Sequence, residues 1–551
     1  MSQSAGHLIV RTLEAHGVER VYAVPGESYL DVLDGLHDSS IETVVCRHEG
    51  GAGFMALAEG RLTGRPGIAM VTRGPGAANA MISIHTAWQD ATALVLFVGL
   101  IPVADRERES FQEFDLAGWF GSTAKRVITI DDPARAGELT DEAMRIAAAG
   151  RPGPVVVGLP EDLLVEVTDA RVTGPTAAPV LALNSDEISA LVERIARAER
   201  PAIVVGGDGW HSGCGAELAA FAEAAGVPVF ADWRAYDAVP HDSGAWAGWL
   251  GYGRADAVAA GYARADLLVF VGCARTDVLS DGYTLGFEAE TVLVTADAEG
   301  KAHAGRIDQQ IVATPRAFVS ALAAVDPDLA RGDRDDSWRG ERAAAQTRFA
   351  MHRSDASVPG ALADAGVDLG VAFAALDDRL RGEAILTFGA GNATIWAHRF
   401  VRHLAPASLV GARNGAMGLA VPAAVAASLA FPDRRAVAVC GDGDFLMNGQ
   451  EVATAFAHGS KPLVIVVDNG IYGTIVQHQQ KHYPGRPSGT RMANPDFKAW
   501  MESFGGHGER VETTEEFAPA LDRALAVDGP ALIHVLISSE VMPPAPDEIA
   551  A

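Results

Sequence analysis

Short, uninterrupted apolar runs alternate with helically patterned stretches along most of the chain. The runs fall at residues 67–72, 93–99 and 154–158, then at 202–206, 267–272 and 291–294, and finally at 384–387, 436–440, 463–467 and 531–536. Runs of this length without polar alternation predict strands buried on both faces and joined by helices, the pattern of parallel α/β sheets. At the start, Leu8, Ile9, Leu13 and Val18 recur at helical spacing, so the N-terminus reads as an amphipathic helix inside the fold with no leader pattern. Two uncharged stretches, 91–104 and 415–431, read as buried core: the first is too short to span a bilayer and the second is punctuated by glycines and Pro422.

Two segments break the alternation. Residues 168–179 are rich in Thr, Ala and Pro, and residues 326–365 carry dense mixed charge with weak strand character. Both read as linkers between compact cores. The expectation is an α/β protein of three domains, each with a mostly parallel sheet flanked by helices, over residues 1–167, 185–325 and 366–545. A length of 551 residues suits that count at about 150 residues per domain.

Composition narrows the partners. Lys plus Arg is 44 against 71 Asp plus Glu, a formal charge of −27, which argues against nucleic acid or an anionic membrane surface. Cys46, Cys214, Cys273 and Cys440 are widely separated, with no Cys-x-x-Cys, and read as thiols of a reducing, cytoplasmic compartment rather than a zinc site.

The strongest local signal is GDGDFLMNGQEVATAFAHGSKPLVIVVDNG, from Gly441 to Gly470. It places Asp442 and Asn469 just past the ends of two predicted strands, where open α/β sheets bind ligands. A hard cation such as Mg²⁺ takes oxygen donors, which the Asp442 carboxylate, the Asn469 amide and a nearby backbone carbonyl supply. Gly441 and Gly443 let the backbone approach a diphosphate. An isolated Gly-Asp-Gly is equally an ordinary strand-to-helix turn. The strand context and the spacing of about thirty residues to Asn469 set this one apart: the stretch resembles the diphosphate-binding signature of thiamine diphosphate enzymes.

That resemblance extends over nearly the whole chain. The run Arg47-His-Glu-Gly-Gly-Ala52 is similar to the family's catalytic glutamate pattern and implies that Glu49 faces the cofactor's aminopyrimidine ring. Taken alone, Glu49 is a helix-start carboxylate. Val24-Pro-Gly-Glu-Ser28, Thr72-Arg-Gly-Pro-Gly-Ala-Ala-Asn79, Phe111-Gln-Glu113 and Gly150-Arg-Pro-Gly-Pro154 resemble the acetolactate synthase branch. In Gly411-Ala-Arg-Asn-Gly-Ala-Met-Gly418 the likeness implies that Met417 wedges between the cofactor rings and that Gly415 offers its carbonyl to the pyrimidine. Ala390-Gly391-Asn392 is similar to a second diphosphate-contacting loop. The same likeness implies further cofactor contacts from Asp444, Ile471, Tyr472 and Gly473, with the Ile471 carbonyl as third metal ligand. It also implies a pyrimidine-binding first domain, a Rossmann-like central domain and a diphosphate-binding third domain. The active unit would then be a homodimer or homotetramer with active sites at the subunit interface.

Substrate choice is less defined. Gln112 is expected on the substrate side, with Ser28, Thr474 and His478 lining it. His478 stands where acetolactate synthases carry tryptophan, and Tyr472 also departs from their pattern. Ser488-Gly-Thr-Arg491 resembles a tract of benzaldehyde lyase, whose N-terminal histidine is replaced by Ser28. Glu27 matches an acid of pyruvate decarboxylases and would relay a proton if buried. His48, His85 and His398 are read as structural. In the central domain, Gly206 to Gly213 form a glycine-rich turn that would hold a nucleotide such as FAD, although a vestigial domain is preferred because Cys273-Ala-Arg-Thr-Asp277 departs from the flavin-associated sequence. The leading reading is decarboxylation of a 2-oxo acid, pyruvate as best guess, with carboligation to a carbonyl acceptor. A simple decarboxylase and a hydroxyketone lyase are the runners-up. A catalytically silent cofactor-binding paralogue, and a flavin or nicotinamide oxidoreductase, are the readings from other classes.

Overall fold

The computed structural model describes residues 2–176, 183–207, 209–351, 366–541 and 543. It contains three six-stranded sheets, every pairing within them parallel. The first orders its strands Glu42–Val45, Arg20–Ala23, Gly67–Val71, Leu94–Leu100, Pro154–Pro160 and Arg126–Thr129. The second runs Trp246–Leu250, Val229–Asp232, Pro201–Val205, Leu267–Val271, Glu290–Thr295 and Gln309–Val312. The third runs Leu409–Gly411, Ile385–Phe388, Ala436–Gly441, Leu463–Asp468, Ala531–Leu536 and His507–Val511.

Numbered within each sheet by chain order, the first and third share the order 2-1-3-4-6-5. The middle sheet has 3-2-1-4-5-6, the order of dinucleotide-binding folds. The central strands are buried along their full length, Gly67–Val71, Leu94–Leu100 and Pro154–Pro160 among them, so their apolar runs have no polar face to alternate with. Residues 91–104 supply the Leu94–Leu100 strand, and 415–431 supply the buried helix Ala420–Ala430. Among the described residues no helix is long and apolar enough to cross a membrane. The four cysteines are buried free thiols.

The described residues form two compact units. One joins 2–176 with 412–432 and 446–461 and holds the first sheet; the other comprises 183–411, 433–445 and 462–541 and holds the second and third. In the first unit the helix Ala420–Ala430 packs on the helix Glu49–Thr63. Other neighbours account for the small residues of Glu49–Thr63: a Cβ on Gly51 would meet the Glu451 carboxylate at 2.4 Å, and one on Gly53 would meet Ser83 Oγ, in the helix Gly74–Asp90, at 2.0 Å.

The charged segment 326–365 differs from the linker expected of it. Its described part forms helices Pro327–Arg331 and Ser337–Met351, with Trp338 and Phe349 buried. Trp338 Nε1 donates to the Pro201 carbonyl at 2.8 Å, and Phe349 packs on Trp249 of the edge strand. Widely spaced apolar anchors among charges make an amphipathic helix that covers the central sheet's edge, and the dense charge hid them. Residues 352–365 lie outside the described residues, as do 177–179 of the first predicted linker; its residues 169–176 carry no helix or strand.

Candidate active site

In the first unit, Glu49 opens the helix Glu49–Thr63, directly after the strand Glu42–Val45 and the turn that joins them. His48 caps this helix, its Nδ1 accepting from Gly50 N at 3.0 Å, so it is structural. The Glu49 carboxylate accepts from Asn79 Nδ2 at 2.9 Å. Burial, then the nearby Glu49 charge, push the Tyr29 hydroxyl well up from its ordinary value. The turn entering Glu49 is pinned from behind: fully buried Glu451 accepts from Arg47 N at 3.1 Å and from Thr454 Oγ1 at 2.6 Å. Burial raises the Glu451 carboxyl, an effect those hydrogen bonds only partly offset.

The other expected residues of this unit sit as follows. Ser28 is buried, with its hydroxyl on Thr72 Oγ1 at 2.9 Å across the point where the strand order reverses. Glu27 is largely exposed and pairs with Arg73 at 3.0 Å, which also holds Glu161. Gln112 adopts a positive φ of 65° and accepts from Gly74 N through its carbonyl. Met417 is half-buried in a loop fixed by Asn414 on Thr86, Arg413 N on Asp90 and Asn448 on the Gly418 carbonyl. Around Gly415, at φ +70°, an added Cβ would meet nothing within 4 Å.

In the second unit, Asp442 begins a helix as the strand Ala436–Gly441 ends, and Asn469 follows the neighbouring strand Leu463–Asp468. Asp442 is 3% exposed; its oxygens accept from Gly443 N at 2.9 Å, Gly470 N at 2.9 Å and Asn494 Nδ2 at 2.7 Å. The same Asn494 amide reaches Asp468 at 2.7 Å, and His534 Nε2 holds that carboxylate at 2.9 Å. Burial pushes the Asp442 carboxyl up, and its neighbour Asp468 adds to the rise. Burial also acts to raise Asp468, but the hydrogen bonds from His534 and Asn494 bring it below its ordinary value. Two crowded carboxylates with amide oxygens nearby form an all-oxygen donor set that fits a hard divalent cation, which would relieve the crowding.

Asn469 Oδ1 accepts from Ile471 N at 3.1 Å, and the Ile471 carbonyl accepts from Gly473 N at 3.0 Å. Tyr472 closes on Gly443, where a Cβ would lie 2.7 Å from its ring; at Gly441 a Cβ would meet nothing nearer than 4.0 Å. Thr474 Oγ1 bonds Asn392 Oδ1 at 3.1 Å, tying the helix Gly473–His482 to the turn at Ala390 and Gly391. Ala390 N donates to Asp444 at 3.3 Å. These groups form a cradle of backbone and small residues at the carboxyl ends of three adjacent strands. His478 lies exposed on the helix Gly473–His482.

Asn79, Glu451, Asp468, Asn494 and His534 were not foreseen. Asp468 had a signal, an acid ending an apolar strand; Glu451 had one, an acid inside an apolar helical stretch. Asn494 sits in a loop with no motif. Above the central sheet, a cavity of about 400 Å³ is lined by Arg254 between Asp256 and Asp281, with Asp277 and Tyr252.

The model of the thiamine pyrophosphate enzyme N-terminal binding domain matches residues 3–119, that of the central domain 188–322, and that of the C-terminal binding domain 389–535. Acetolactate synthase isozyme 2 large subunit of Escherichia coli is 30% identical over 540 residues, covering 96% of this chain and 94% of that protein. The acetolactate synthase large subunit of Corynebacterium glutamicum is 31% identical, covering 97% and 86%. The catabolic acetolactate synthase of Raoultella terrigena is 30% identical, covering 96% and 94%. The chain belongs to the thiamine diphosphate-dependent enzymes, in their acetolactate synthase-like branch. It is thus a carboligase or decarboxylase by class.

Proposed function

We propose that this enzyme decarboxylates a 2-oxo acid, pyruvate as the leading candidate, and joins the remaining unit to a second carbonyl compound, using thiamine diphosphate and Mg²⁺. The observation that carries the reading is the near full-length match to chains named acetolactate synthases, with Glu49, Asp442 and Asn469 all in place. The bound cofactor supplies the electron sink for breaking the carboxyl bond. Asp442, Asn469 and the Ile471 carbonyl hold the metal. Gly441, Gly443, Asp444, Ala390, Gly391, Asn392, Tyr472 and Gly473 receive the diphosphate, and Gly415 and Met417 orient the rings.

Glu49 holds a proton at the pyrimidine ring nitrogen, and the Asn79 amide keeps its carboxylate aimed while leaving the second oxygen for that task. Gln112, Ser28, Thr474 and His478 are the proposed contacts on the substrate side; Glu27 would relay a proton there only where burial replaces its exposed ion pair with Arg73. A homodimer or homotetramer in which Glu49 of one copy serves Asp442 and Asn469 of another is the proposed working unit. Incubation with pyruvate and product identification tests the reading. Acetolactate supports it; acetaldehyde reassigns the enzyme as a simple decarboxylase; neither, with cleavage of a hydroxyketone, makes it a lyase.

A further inference from the structure

The central sheet contributes no residue to the site as described so far, yet one of its side chains reaches the third sheet. Arg234 follows the strand Val229–Asp232, is 2% exposed, and lies over the Trp233 ring at 4.0 Å. Its Nη2 donates to the Gly389 carbonyl at 2.9 Å, and its Nη1 donates to His398 Nε2 at 3.4 Å. Burial first, then Arg234 itself, hold His398 well below its usual basicity, so the imidazole is neutral and able to accept. A guanidinium is costly to bury, and these two acceptors offset part of that cost. Gly411 completes the passage: a Cβ there would stand 3.1 Å from both Arg234 Cδ and Nη1.

Gly389 is the first residue of the turn 389–392. On its other side the turn abuts Asp444, where a Cβ on Gly389 would fall 1.8 Å from the carboxylate and Ala390 N donates to it. Gly391 has φ +119°, a conformation that L side chains rarely adopt. The turn is therefore gripped between a cation from the central sheet and an acid from the third, at the reversal in the third sheet's strand order.

We propose that Arg234 is a positioning residue for the diphosphate turn 389–392, so that cofactor retention depends on the central domain. The proposal rests on the cofactor reading above. Its mode of action is geometric: Arg234 holds the Gly389 carbonyl while Asp444 holds the Ala390 N–H, and the two together fix the turn that the cofactor reading places at the diphosphate. Removing the grip lets the turn relax without removing any group that touches the cofactor.

The test is calorimetric titration of the full chain with thiamine diphosphate in the presence of Mg²⁺, for the wild type, Arg234→Gln and Arg234→Lys. Arg234→Gln should weaken binding about tenfold or more, the scale of losing an outer partner of a ligand site. At saturating cofactor its kcat should stay within about threefold, giving a split between cofactor KM and kcat that a general loss of structure does not produce. Arg234→Lys should recover most of the affinity. Amide hydrogen exchange of the cofactor-free protein should rise at residues 390–392 in Arg234→Gln. Unchanged affinity in Arg234→Gln overturns the proposal, as does loss of folding in both variants, which makes the role structural. A wild type that does not bind thiamine diphosphate overturns the cofactor reading instead.

Discussion

The first and third sheets repeat one strand order, 2-1-3-4-6-5, yet carry different chemistry at their strand tips. In the first, the acid is a single glutamate after the second strand, steadied by one amide from Asn79. In the third, two aspartates after and within adjacent strands share one amide, from Asn494. Under the proposed function the solitary carboxylate serves the cofactor's ring nitrogen, and the crowded pair lies where a cation is to be held. The two sheets thus share a topology and differ in the number of acids at their tips.

The contrast breaks first at Glu49. Glu49→Gln should lower turnover about 10³-fold, the range of a lost proton-transfer group, with an unchanged circular dichroism spectrum; near-normal turnover would end the assignment. At the other sheet, Asn494→Ala should weaken Mg²⁺ binding by about 10–100-fold while Glu49-dependent steps at saturating metal persist, measured by metal titration.

Acidification separates the two units in another way. Burial, then His403, hold His241 at about 3, and burial, then Arg434, hold His403 at about 3, both in the unit of the third sheet. The unfolded chain protonates them near 6.5 and so binds more protons than the fold. Their contribution is present above pH 6.5 and drains as pH falls toward 3, by about 1.4 kcal/mol per pH unit for each. Thermal melting from pH 8 to 5 should show this unit unfolding earlier in acid, and His403→Asn should flatten the dependence. The smallest effect is steric. Gly51→Ala drives a Cβ into Glu451 and should cost about 1–3 kcal/mol of overpacking, less the ~1 kcal/mol a helical alanine returns, read from the melting midpoint. Gly441→Ala has open space and should leave that midpoint in place.

The long central strands were legible because their apolar runs are continuous, whereas Val229–Asp232, Trp246–Leu250 and Leu409–Gly411 are fully buried yet were missed, being short or interrupted by Asp or Gly. The strands Arg126–Thr129, Gln309–Val312 and His507–Val511 were missed too: they are short edge strands with mixed polar residues, and only pairing to a neighbour makes them strands. Glu49, Asp442 and Asn469 were legible through local motifs and their spacing along the chain. Asn79, Glu451 and Asn494 were not, since each meets its partner only on folding, at separations of 30, 404 and 52 residues. Arg234 belongs to the same class, with 155 residues between it and Gly389.

The packing of Ala420–Ala430 on Glu49–Thr63 also sets a clock on synthesis. The earlier helix is apolar on nearly every face, and the segments that cover it end at residue 461. At about 5–20 residues per second, roughly 20–80 s pass between translation of the helix and of its cover. Throughout that interval the nascent chain presents an apolar, glycine-rich helix whose cover has yet to be made.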